Sequence, residues 1–140
     1  MTENDNAVPE FARLEVPARA EFVSVLRLVV GAAAANYEWL RTERLDDLKL
    51  AISEACIALM AADAVTIQLT TYASQAQLDV ELSAGGASAA RSLPDNALEG
   101  STKAFEFGTP LVSMLVDQVT VSRESDTVKL TVLRDPEIVH

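Results

Sequence analysis

The chain has one cysteine, one histidine and only 5% aromatic residues, and each scarcity removes a class of function. With Cys56 alone, neither an internal disulfide nor a cysteine-rich zinc site can form. The sole histidine is His140, at the last position, so no Ser-His-Asp arrangement or paired-histidine zinc helix is available, and no phosphate-loop lysine motif occurs. Few aromatics leave little for stacking bases. Basic residues are scarce as well: 11 Lys and Arg stand against 21 Asp and Glu, a formal net charge of −10. Such a chain repels nucleic-acid phosphates and anionic lipid, so neither nucleic acid nor membrane is an expected partner, and another protein is the first to consider. No apolar run reaches the roughly 18 residues of a membrane span. The acidic opening MTENDNAVPE also lacks the layout of a secretory signal. The expectation is a cytoplasmic protein.

What the chain does have is 49% hydrophobic content in 140 residues, enough for one compact domain. Residues 1–10 are expected to form a disordered leader, 11–135 the domain and 136–140 a tail. Apolar and charged residues alternate over 11–16 as in a half-buried strand, which Pro17 ends. From Ala18 to about Ala35, Phe22, Val25, Leu26, Val29 and Ala33 recur at three- and four-residue spacing, predicting a helix with that face inward. A polar connector, 36–44, precedes a second periodic segment with Leu48, Ile52, Ala55, Cys56 and Leu59 on one face and Asp46 and Asp47 in its first turn. Residues 65–72 and 77–83 alternate at period two around a short polar turn and predict a hairpin. The Ala-, Ser- and Gly-rich stretch 84–108 reads as loop. Pro110 suits the first turn of a third helix through Asp117, and 119–122 with 127–133 predict a closing hairpin. The order implies an α+β fold: a two-layer α/β sandwich, with a mixed, mostly antiparallel sheet and helices on one face.

The segment Leu45-Asp-Asp-Leu-Lys-Leu-Ala-Ile-Ser-Glu-Ala-Cys-Ile-Ala-Leu59 resembles the N-box helix of the Bergerat-fold (GHKL) ATPases, specifically their anti-sigma-factor serine kinases of the RsbW type. The resemblance covers roughly 11–133 and is nearest the actinobacterial anti-sigma-F group. In active members this helix carries a Glu and, four residues later, an Asn. Residues i and i+4 share a helix face, so a general base and a magnesium ligand both reach the phosphates. Here Glu54 keeps the first position and Ala58 takes the second. The family's adenine-reading Asp and two glycines match Ser83-Ala84-Gly85-Gly86-Ala87-Ser88: Ala84 stands at the Asp position, Gly86 at the first glycine and Ser88 at the second. The glycine-rich lid matches Phe107-Gly108-Thr109-Pro110-Leu111, where Gly108 remains and Glu106 replaces the earlier glycine. The scaffold therefore matches while three motif positions depart. Losing both the adenine and the metal partner is expected to weaken ATP binding by several orders of magnitude.

Each candidate residue has a plainer reading beside the functional one. Glu54 is the remaining candidate for a catalytic base, or a solvated acid on a helix. Gly85 and Gly86 cradle phosphate, or form a turn that needs positive φ. Gly86 and Gly108 are the residues left to hold a nucleotide. Cys56 reads as a small core residue. Arg27, within an apolar helix segment, matches the arginine by which family members contact sigma factor and antagonist, or is an arginine with its stem on apolar surface. Glu43, Asp46 and Asp47 face a basic partner, or answer the helix dipole. No metal site is expected, and ATP with magnesium only at low affinity. The resemblance implies a stress-response regulator that binds a sigma factor, is released by an anti-anti-sigma protein of the STAS type, and forms a homodimer. The alternative is an active serine kinase that phosphorylates that antagonist.

Overall fold

The computed structural model describes residues 8–86, 111–122 and 126–135. Strand β1 (Glu10–Pro17) is followed by helices α1 (Ala20–Ala34) and α2 (Thr42–Ala61), strands β2 (Thr66–Ala73) and β3 (Gln77–Gly85), then β4 (Gln118–Ser122) and β5 (Thr127–Leu133). The strands form one sheet of order β1-β2-β3-β5-β4, and all four pairings are antiparallel. Strands joined by short turns pair antiparallel by necessity. β1, separated from β2 by two helices, arrives from the opposite direction as well, and Val16 lies opposite Ile67.

One sheet face is apolar and carries the helices. Alternation sends Ile67 and Leu69 of β2, Leu78, Val80 and Leu82 of β3, and Val128, Leu130 and Val132 of β5 to that face, where all are buried. Val23, Leu26, Val30, Ala33 and Ala34 of α1 and Leu48, Ala51, Ile52, Ala55, Cys56 and Leu59 of α2 close the core over them. Each fully buried Leu, Ile or Val contributes roughly 1.5–3 kcal/mol of transfer free energy. The other sheet face is polar, and its centre holds a buried acid. Asp79 accepts hydrogen bonds from the Thr131 hydroxyl at 2.7 Å and from the Gln77 amide at 3.0 and 3.1 Å, with Lys129 Nζ 3.9 Å away.

Two boundaries and the rotation of one helix differ from expectation. α2 begins at Thr42, inside the predicted connector, because Arg41 takes the extended cap conformation and Glu43 then stands in the first turn. α1 buries Val23, Val30 and Ala34, while Val25 is 38% exposed and Phe22 and Val29 lie at the margin of the core. Apolar residues nearly surround that helix, so sequence spacing permitted either rotation. β3 runs on to Gly85, pairing with Thr66. Residues 111–115 are helical within the third helix predicted from Pro110, which itself lies outside the described residues, as does most of 84–108. Among the described residues no helix is long and apolar enough to cross a membrane.

Candidate functional site

α2 carries the residues on which any nucleotide chemistry would depend. Glu54 is half-buried and has no ion-pair or hydrogen-bond partner among the described residues. Ala58, one turn later, is 5% exposed and presents only a methyl group. The face that could carry a base and a metal ligand therefore offers a carboxylate alone. Among the described residues no three His, Cys, Asp or Glu side chains gather to hold a metal ion.

At the end of β3 the glycine pair is fixed by packing. Gly86 has φ +91°, and a Cβ there would lie 2.5 Å from the Cβ of Val65. Gly85 leaves room for the Thr66 hydroxyl, which a Cβ would approach to 2.5 Å and which donates to Glu15 at 2.6 Å. The positive φ that a turn needs is found at Gly86 alone, whereas Gly85 is the last residue of β3, paired with Thr66. Ala84 donates its N–H to the Asp126 carbonyl at 3.0 Å, tying β3 to the start of β5. Gly108, with Glu106 and Ser88, lies outside the described residues.

Arg27 lies where the two helices meet. Its Nη1 donates to the Ser53 hydroxyl at 2.8 Å, and that hydroxyl donates to the Lys49 carbonyl at 3.2 Å. The guanidinium has no carboxylate partner among the described residues, so most of its donors remain unused. One helical turn further, the Lys49 side chain passes Gly31, where an added Cβ would stand 3.5 Å from Nζ. Leu28, next to Arg27, and Leu50 and Ile57, at i−3 and i+4 from Ser53, are 69%, 45% and 48% exposed, while Val25, 38% exposed, lies on the far side of α1 from Arg27. Glu43 and Asp46 are exposed on the first turns of α2, with Asp47 half-buried. Cys56 is fully buried, and burial pushes its thiol up to about 12, the charge of Arg27 opposing that shift.

Two residues that sequence reading passed over hold these parts together. Arg44 Nη2 meets Asp117 Oδ2 at 2.6 Å, and the same oxygen accepts from the Leu133 N–H at 2.6 Å, clamping the start of α2 to β5. Trp39 donates its Nε1–H to the Ser74 carbonyl at 3.1 Å, fastening the α1–α2 connector to the β2–β3 turn. Both pairs join residues distant in sequence, so no local pattern announces them.

Residues 16–134 match the model of the histidine kinase-like ATPase domain. The chain belongs to that family. Among curated proteins it is 40% identical over 47 residues to the serine-protein kinase RsbW of Bacillus cereus (strain AH187), covering 34% of this chain and 29% of that one. It is 33% identical over 51 residues to the serine-protein kinase RsbW of Bacillus pumilus (strain SAFR-032), covering 36% and 31% respectively. The matched segments thus span under a third of these relatives. As a histidine kinase-like ATPase domain, the chain has a five-stranded antiparallel sheet with α1 and α2 packed on its apolar face.

Proposed function

We propose that this protein is an anti-sigma-type regulator that works by binding other proteins: it holds a sigma factor and releases it when a STAS-type antagonist competes for overlapping surface. The observation that carries the reading is on the two helices. The α2 position that would coordinate magnesium presents Ala58, whereas Arg27 has the exposed Leu28 next to it and the exposed Leu50 and Ile57 at i−3 and i+4 from its partner Ser53. Exposed aliphatics around an arginine with unused donors suit a protein partner. ATP binding is then weak or absent, since each lost polar partner costs about 1–3 kcal/mol. The protein acts in the cytoplasm, where its partners are, and as a homodimer, which sedimentation of the purified protein tests.

Calorimetric titration with magnesium ATP separates this from the kinase reading. No heat at millimolar ATP is the expected result. Micromolar affinity would show that Ala58 and Ala84 have been compensated, making Glu54 the base of an active serine kinase that phosphorylates its antagonist. Binding to purified sigma factors and STAS proteins of the same organism tests the partners directly, and failure with all of them would end the anti-sigma reading.

A further inference from the structure

At the end of the sheet remote from Gly86, the α1–α2 connector, the β2–β3 turn and the end of β5 enclose a cleft of about 480 Å³ lined by Asn36, Glu38, Trp39, Gln75 and Arg134. That volume falls within the range of small-molecule sites. Its polarity is divided. The connector supplies acceptors. One is the Glu38 carboxylate, which has no cationic partner among the described residues. The other is the Asn36 side-chain oxygen, left over because Nδ2 donates to the Ala32 and Ala33 carbonyls at 3.2 and 3.3 Å. The sheet end supplies donors: the Gln75 side-chain amide and the Arg134 guanidinium, whose one side-chain hydrogen bond among the described residues runs from Nη1 to the Gln75 carbonyl, at 3.4 Å. Trp39 completes the wall. With its N–H engaged by Ser74, the indole offers the cleft its ring.

Glu38 and Arg134 do not pair with each other and neither has an ion-pair partner among the described residues, so opposite charges line one cleft and a ligand that carries both charges answers each. We propose that this cleft binds a free α-amino acid with an aromatic or large aliphatic side chain. The ammonium meets Glu38 and Asn36, the carboxylate meets Arg134 and Gln75, and the side chain lies on Trp39. A simple anion would leave the Glu38 charge unanswered beside it, and a simple cation would leave Arg134 so. The frame is prepared in advance. Tyr37 donates to the Ala73 carbonyl at 3.4 Å, Arg134 donates its N–H to the Ala76 carbonyl at 2.9 Å, and the Ser74 hydroxyl accepts from the Ala76 and Gln77 N–H groups at 3.1 and 3.2 Å. The proposal is independent of the partner reading.

Trp39 is the one tryptophan of the chain, so its fluorescence reports on this cleft alone. The purified protein is titrated with L-phenylalanine and L-leucine, then with 3-phenylpropionate, which lacks the ammonium, and 2-phenylethylamine, which lacks the carboxylate. The chemical shift of the indole N–H follows the same titrations in case the emission is silent. A saturable response to at least one of the two amino acids is expected, with either analogue at least about tenfold weaker than L-phenylalanine where that is the one bound. Glu38→Gln and Arg134→Gln should each weaken binding by a similar factor at an unchanged melting temperature. Silence of both signals towards both amino acids at about 10 mM, equal binding of an analogue, or indifference to both substitutions would overturn the assignment.

Discussion

Thr71 sits on the core face of β2, fully buried, with its hydroxyl lacking a hydrogen-bond partner among the described residues. A buried hydroxyl without a partner costs about 1–3 kcal/mol, so Thr71→Val, which keeps the shape, should stabilise the fold by about 1 kcal/mol and raise the thermal midpoint. Gly86→Ala should do the reverse. At φ +91° with Val65 in the way, an alanine should cost more than about 1 kcal/mol in urea denaturation. Cys56 gives a pH dependence whose sign follows from burial. Its thiol is neutral up to about 12 in the folded protein but ionises near the ordinary 9.0 once unfolded. Its contribution is therefore fully present below pH 9 and is lost as pH rises towards 12, by about 1.4 kcal/mol per unit. Other groups titrate in that window too, so the measurement is the difference between the parent and Cys56→Ala in unfolding free energy against pH. A slope identical in both would refute the account.

At the scale of the element, α1 and α2 are joined through the Arg27–Ser53 bond and through burial of the faces beneath it. Arg27→Glu removes one half-buried hydrogen bond and reverses the charge at the seam. The melting temperature should change little while partner affinity falls at least about tenfold; an unchanged dissociation constant would remove Arg27 from the interface. α2 was legible in the sequence because its apolar residues keep strict helical spacing: Leu48, Ile52, Ala55, Cys56 and Leu59 are all buried as predicted. The strands were legible for the same reason at period two. α1 was legible as a helix but not in its rotation, since Val23, Val25, Leu26, Leu28, Val29 and Val30 satisfy two faces and only the sheet beneath chooses between them. At the candidate site, the four-residue spacing of Glu54 and Ala58 placed them one turn apart on α2, as they are. The Ser53 partner of Arg27, the Val65 wall behind Gly86 and the Arg44–Asp117 clamp could not, because each is made by chain segments that meet only after folding.

For the molecule as a whole, the charge of −10 sets how partners approach. Raising ionic strength from about 0.01 to 0.15 M shortens the screening length from about 30 to 8 Å. Association with a basic partner surface should slow over that range in stopped-flow measurements, while dissociation changes little. A rate indifferent to salt would mean that Glu43, Asp46 and their neighbours play no part in encounter.

The strand order has its own consequence for how the chain is made. β5 lies between β3 and β4, so the polar network of Asp79 with Thr131 and the apolar row Val128, Leu130 and Val132 are contributed by the segment synthesised last among the described strands. While a ribosome is still translating the region before Thr127, β3 has an open edge and α2 covers an incomplete sheet. At about 5–20 residues per second, several seconds separate the emergence of β3 from that of the strand it needs. The nascent chain therefore waits with an apolar, unpaired strand edge on offer, which makes it a natural client for a ribosome-associated chaperone until residue 133 is free.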